Sequence, residues 1–320
     1  MGTDQSVDFR AIQEAAERIR GQVHETPVAT CRWLDDQAGV ELFFKCEHLQ
    51  KVGAFKFRGA SNAVMRLTEA QARRGVATHS SGNHAQAVAL AARMRGIEAH
   101  IVMPSNAPSI KRRAVEGYGG RVIECAPTLA AREAAAAAVV EETGAALIHA
   151  YNHPDVIAGQ GTAALELMAQ VPDLDAIMAP VGGGGLMAGT CVAASGINPS
   201  IRLLGAEPAG ADDAARSLET GSLQPQLDPR TIADGLRTSL GSLAWPILRE
   251  RVEVILRVEE AAIVEAMRLC WERAKLMIEP SSAVPVAAAL DPGFRGLGVR
   301  RVGIILSGGN VDLDRLPWGA

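Results

Sequence analysis

A chain of 320 residues with 48% apolar and 21% charged side chains has a globular composition and is long enough for two lobes around a shared core. Its formal net charge of −4 offers no basic field for nucleic acid or an anionic membrane, and its apolar runs are too short and broken to span a bilayer. Five scattered cysteines without a Cys-x-x-Cys pair, and a polar Met1–Arg20 lacking a signal-peptide core, point to reduced thiols and a cytoplasmic location.

In chain order, Asp8 to Arg20 places Ile12, Ala15, Ala16 and Ile19 at helical spacing, and Thr26-Pro27 breaks it. Val40 to Cys46 is a predicted strand and Ser61 to Ala70 a predicted helix. From Gly75 the rhythm is regular: strands at Val76–Ser80, Ala99–Met103, Arg121–Cys125 and Ala146–His149 alternate with helices at Asn83–Met94, Ser109–Tyr118 and Leu129–Glu142. A second set follows, with a helix from Asp155 to Met168 and strands at Ala176–Val181, Arg202–Ala206, Val252–Val258 and Arg301–Leu306. One helix is expected from Ala261 to Ala274, and loop-like sequence from Glu207 to Pro229. Strands alternating with helices imply right-handed crossovers and parallel sheets covered on both faces.

Lys56 sits between Phe55 and Phe57, with Gly53 before and Gly59 after. A lysine held against apolar rings loses hydration, which lowers its pKa and frees the neutral amine that condenses with a carbonyl. Taken alone, a snorkelling lysine at a helix start fits as well.

Three other stretches bear on it. Gly182 to Gly185 joins a strand to a helix, where bare backbone N–H groups and the helix dipole favour an anion. Gly183-x-Gly185-x-x-Ala188 also fits a dinucleotide fingerprint, with Glu207 ending the next strand, so a nicotinamide-dependent oxidoreductase is the competing reading. Ser80-Ser81-Gly82-Asn83-His84 crowds hydroxyls and an amide at another helix start; it suits a substrate carboxylate or a plain N-cap. Glu207 to Asp213 pairs acids around a glycine turn, as a hard cation or a solvated loop requires.

Together with Ser307-Gly308-Gly309-Asn310, these stretches resemble the fold-type II pyridoxal-phosphate (PLP) enzymes, in particular the serine racemase, 3-hydroxyaspartate dehydratase and serine/threonine dehydratase branch, from about Thr26 to Asp312. The resemblance implies an α/β fold of two open twisted sheets, like the tryptophan synthase β chain. PLP would lie in the cleft between a large lobe (1–74 and 152–320) and a small one (75–151). Lys56 would be the Schiff-base lysine and Phe55 would pack on the cofactor ring. Asn83 would hold the ring hydroxyl, Gly182, Gly183, Gly184, Gly185 and Leu186 the phosphate, and Ser307 the pyridine nitrogen, with Gly235 near the ring. Ser80, Ser81, His84, Asn152 and Thr238 would surround the substrate, with Ser81 a second acid/base. Glu207, the Ala211 carbonyl and Asp213 would bind a divalent cation. A homodimer is implied as well.

The activity implied is β-elimination from a β-hydroxy amino acid to a 2-oxo acid and ammonia. Serine racemisation is the alternative, because Ser81 is a second proton carrier. Arg132 matches an arginine of the racemase and hydroxyaspartate branch. It has Thr128, Leu129, Ala135 and Ala136 as helical neighbours, none acidic, so its guanidinium is left for a second substrate carboxylate. Lys51, Gln86, Tyr118 and Asn310 match nucleotide-contacting positions of animal racemases. The paired serines expected near Cys31 are absent, a departure from that pattern.

Overall fold

The computed structural model describes residues 7–107 and 109–318. Of the segment Met1–Arg20, the first six residues lie outside these; the remainder forms the helix Phe9–Ile19, whose N-cap Asp8 side chain accepts from Ala11 N. Ten strands follow: β1 (Val28–Ala29), β2 (Glu41–Cys46), β3 (Val76–His79), β4 (Ala99–Pro104), β5 (Arg121–Cys125), β6 (Ala146–Leu147), β7 (Ala176–Pro180), β8 (Arg202–Pro208), β9 (Val254–Val258) and β10 (Arg301–Leu306). They build a six-stranded sheet in the order β1-β2-β10-β7-β8-β9 and a four-stranded sheet in the order β5-β4-β3-β6. Every pairing is parallel except β1 with β2.

All strands of the smaller sheet lie between Val76 and Leu147, so the chain enters the larger sheet, leaves it once and returns. Helices cover both faces of each sheet. Strands such as β4 and β7 are buried along their whole length, which is why they read as continuous apolar runs. The helix Asn83–Arg95 is alanine-rich on its buried face, and small side chains let it pack closely against the helix Lys56–Arg66. The latter helix also packs on Pro154–Gln170, where Gly59 and Gly159 approach so closely that a Cβ on Gly159 would lie 2.6 Å from the Gly59 Cα. Lys56 therefore opens a helix clamped between Asn83–Arg95 on one side and Pro154–Gln170 on the other.

Several elements differ from the sequence expectation. The helix expected at Ser61–Ala70 starts at Lys56 and ends at Arg66, because a Thr68/Gln71 capping box starts a separate turn, Glu69–Ala72. The stretch read as loop after Glu207 contains the helix Asp213–Thr220. The helix Pro280–Leu290 escaped notice entirely: it is buried on nearly every side, so it has no polar face to reveal a period, and Pro285 inside it reads as a breaker. All five cysteines are free thiols, and no helix among the described residues is long and apolar enough to cross a membrane.

Candidate active site

A cavity of about 550 Å³ opens where the C-terminal strand ends of both sheets meet, the position at which open parallel sheets bind ligands. Lys56 forms part of its wall. The segment before it is pinned to the end of β10: Ala54 bridges Gly308, Phe55 N donates to the Ser307 carbonyl at 3.0 Å, and Gly309 N donates to the Gly53 carbonyl at 2.9 Å. Val52 and Gly53 reach this arrangement with φ of 57° and 70°. A Cβ on Gly53 would meet Asn310 Oδ1 at 2.6 Å, so the site needs glycine there.

Lys56 Nζ donates to the Ala150 carbonyl at 3.0 Å and stands 5.0 Å from the Phe55 ring centroid. Burial lowers its pKa to about 8, with the Glu279 carboxylate pulling the other way. A larger share of the side chain is therefore free amine near neutral pH than for an ordinary lysine.

Two helix N-termini border the same cavity. The helix Gly185–Ile197 starts from Gly184 at φ 81°, and the helix Asn83–Arg95 starts from Gly82; neither has a side-chain cap. Their first-turn N–H groups are thus left for a ligand, which argues against the plain-cap reading of Ser80 and Ser81. In the glycine run, a Cβ on Gly183 would lie 2.2 Å from Tyr151 Cγ, and one on Gly184 2.5 Å from Leu240 Cδ1. These positions admit no side chain, and the cradle suits a phosphate. Leu186 closes its apolar side.

Asn83 donates from Nδ2 to both Glu279 oxygens at 3.1 Å and accepts from Asn310 Nδ2 at 2.9 Å, so its amide is held in one orientation. Burial raises the Glu279 pKa to about 7, reinforced by Asp234. Ser307 is buried beside Ser282, their hydroxyl oxygens 3.1 Å apart, while Ser282 Oγ donates to the Gly308 carbonyl and accepts from Gly308 N. Ser307 therefore presents a neutral hydroxyl to the cavity. Gly235 N donates to Ser281 Oγ at 3.1 Å, setting the loop that carries Thr238 along the rim. Across the mouth, Lys111 Nζ pairs with Asp234 at 2.7 Å.

Ser80, Ser81, Arg132, Thr238 and every expected cofactor residue line this one cavity. Two expectations change. Asn152 is turned away from it: Nδ2 donates to Ser242 Oγ at 3.1 Å and Oδ1 accepts from Leu243 N at 2.9 Å, so the side chain ties down the loop after Thr238 instead of meeting substrate. His84 is in the wall, but its Nε2 proton goes to the Ile148 carbonyl at 3.0 Å, and burial drives its pKa down to about 3. A neutral ring offering only a lone pair is poorly suited to a carboxylate. Glu279, Ser282, Lys111, His79, His149 and Tyr151 were missed; only Glu279 had a signal, an acid next to Pro280 at a helix start.

The expected cation residues lie outside the cavity, at the end of β8. Glu207 accepts from Ala215 N at 2.9 Å, and Asp213 Oδ2 from Leu240 N at 2.7 Å; Asp213 Oδ1 is buried with no partner. Burial raises the Glu207 pKa and lifts Asp213 to about 6. An unpartnered Asp213 oxygen, with the desolvated Glu207 carboxyl near enough to raise the cost of a second charge, fits a cation. Among the described residues no group of three or more His, Cys, Asp or Glu side chains is placed for a metal, so the third protein donor would be a backbone oxygen such as that of Ala211.

A desolvated lysine facing a glycine cradle, between two sheets, defines a site for a phosphorylated aldehyde cofactor. Residues 19–308 match the family model described as pyridoxal-phosphate dependent enzyme, and the chain belongs to that family. It is 50% identical to a serine racemase of Arabidopsis thaliana over 97% of this chain and 95% of the relative. It is 49% identical to a beta-hydroxyaspartate dehydratase of Paracoccus denitrificans over 95% of this chain and 96% of the relative. The crystal structure of serine racemase from Dictyostelium discoideum superposes with a TM-score of 0.93 at 50% identity, covering 96% of this chain and 99% of that one. The chain is thus a PLP-dependent enzyme among racemases and dehydratases, and the nicotinamide reading loses its support.

Proposed function

We propose that the chain is an ammonia-lyase that converts 3-hydroxyaspartate to oxaloacetate and ammonia, with serine and threonine as lesser substrates. One observation carries this reading: Arg132 reaches the same cavity as Lys56 and the Ser80–Asn83 turn. The turn, with its uncapped helix start, suits the α-carboxylate. Arg132 is then free to hold a second carboxylate through paired hydrogen bonds. The relative named for hydroxyaspartate lends support.

PLP, when bound, supplies an electron sink that acidifies the substrate Cα–H. Lys56, Phe55, Asn83, Gly182–Gly185, Leu186, Gly235 and Ser307 would hold it. Lys56 Nζ is the base that takes the Cα proton, and its lowered pKa leaves it part-neutral at working pH. The neutral Ser307 hydroxyl, where a carboxylate would strengthen the sink, favours prompt loss of the β-hydroxyl over a long-lived carbanion. Racemisation is a second reading: Ser81 also lines the cavity and offers a second proton carrier, and serine racemases are among the relatives.

A panel of serine, threonine and all hydroxyaspartate stereoisomers, scored for ammonia and for enantiomer exchange, separates these readings. Arg132→Ala should lower kcat/KM for hydroxyaspartate by about a hundredfold, the loss expected when one partner of a buried charge pair goes, and should affect serine far less. Equal losses on both would end the second-carboxylate assignment.

Glu207, the Ala211 carbonyl and Asp213 would hold a divalent cation. Saturating Mg2+, Mn2+ or Ca2+ should raise the Tm by several degrees, since a ligand at about a hundred times its Kd adds about 2.7 kcal/mol. Asp213→Asn should abolish the response in a melting curve with and without chelator. A variant as responsive as the wild type would remove the site.

A further inference from the structure

We infer that His149 and Tyr151 stand with Arg132 as a wall of donors that receives the second carboxylate of the substrate. The inference rests on the dicarboxylate reading above and adds two residues to it. Both follow β6, directly before the helix Pro154–Gln170, and both line the cavity together with Arg132.

The tautomer of His149 is set by its surroundings. Its Nδ1 accepts from Tyr151 N at 3.3 Å and from Asn152 N at 3.1 Å, so the ring proton resides on Nε2. Burial, with the neighbouring His79 ring and Lys56 cation, drives its pKa down to about 4. At neutral pH His149 is an uncharged N–H donor. Tyr151 keeps its phenol proton for the same reason, burial raising its pKa further above the physiological range, with the Asp213 charge adding to the effect.

These donors are rigidly held. The Tyr151 ring stands edge-on to His149 with centroids 4.6 Å apart at 88°, and His149 stands likewise to His79 at 5.7 Å and 87°. The other side of the Tyr151 ring occupies the space that a side chain on Gly183 would need. The stack thus has little room to shift. Thr238 and Arg132 line the same cavity as this ring, and the Arg132 charge acts on its phenol.

One guanidinium neutralises the second carboxylate once; two neutral donors then satisfy its remaining lone pairs without adding surplus positive charge to the cavity. A substrate with a single carboxylate, such as serine, leaves these donors without that partner. Sites built to hydrogen-bond a substrate group discriminate against analogues lacking it for this reason.

Kinetics on 3-hydroxyaspartate and serine test the wall with Tyr151→Phe, which keeps the ring over Gly183, and His149→Asn, whose Oδ1 can still accept the two backbone amides. Each should lower the ratio of kcat/KM for hydroxyaspartate to that for serine about tenfold, mainly through KM, as for one hydrogen bond to a charged group. Calorimetry with succinate, a dicarboxylate without an amine, should show a similar loss of affinity in both variants without relying on turnover. If Arg132→Ala lowers the ratio while Tyr151→Phe and His149→Asn leave it and succinate binding intact, the wall is refuted and the dicarboxylate reading survives. An unchanged ratio in Arg132→Ala refutes that reading and the wall with it.

Discussion

Replacing Lys56 by alanine should leave a folded protein that has lost essentially all turnover, by at least about a thousandfold, with no covalently retained cofactor. Two separate functions disappear in that variant. The amine that fixes the aldehyde is gone, and so is the base beside the substrate Cα, the latter alone worth about 10²–10⁴ in rate. Folding should survive, because Lys56 is the first residue of its helix and its Nζ makes one hydrogen bond, to Ala150. The wild-type protein with PLP should absorb near the violet edge of the visible and be bleached by borohydride, with mass analysis placing the adduct on residue 56. The variant should show neither effect. The pH dependence of cofactor capture by the apoprotein gives an independent check. Burial places the amine's pKa at about 8, so the capture rate should rise through that pH and level off above it. A rise continuing to the ordinary lysine range would mean that Lys56 is solvated, and the site assignment would fail with it.

What could be read from the sequence was whatever lies consecutively at a strand end. Four glycines after β7 and Ser80–His84 after β3 carry their chemistry within a few residues because parallel strands present their C-terminal ends to one crevice, and Lys56 between two phenylalanines opens a helix pinned to the end of β10. Glu279 is marked in the sequence only as an acid before Pro280 at a helix start; its role and that of Ser282 depend on a buried helix meeting Asn83 and Ser307 from distant parts of the chain. Asn152 shows the converse error. It adjoins the cavity residue Tyr151 in sequence, yet its side chain points to the loop at Ser242 and Leu243, and neighbouring residues on an irregular segment need not share a face. His84 lines the cavity, but its protonation depends on burial and on the Ile148 carbonyl, neither of which a sequence displays.

The largest stability effect should come from a residue outside the reaction, Arg58, two positions beyond Lys56. Its side chain is fully buried between two carboxylates: Nε and Nη2 donate to Glu47 at 2.7 and 2.8 Å, and Nη1 and Nη2 to Glu166 at 2.6 and 2.7 Å. Lys45, also fully buried, donates to the same Glu166 at 2.6 Å, so two cations and two anions close a neutral network under the helix that carries Lys56. Arg58→Met keeps much of the volume but leaves Glu47 buried with Thr26 and a more distant Lys45 as its compensation. Breaking such a network from one side costs about 3–5 kcal/mol, a fall in Tm on the order of 10 °C. The pH dependence has a definite sign. In the wild type Arg58 holds the Glu47 pKa below the usual carboxylate range against the cost of burial, so this contribution is present above the unfolded value and is lost as pH falls through the folded one. In the variant burial dominates and the Glu47 pKa moves up, so its deficit should be larger at pH 8 than at pH 5, where Glu47 takes a proton. Adding Glu47→Leu should recover part of the loss, because the uncompensated charge goes with it. A deficit independent of pH, with no recovery in the double variant, would show that Arg58 contributes packing alone.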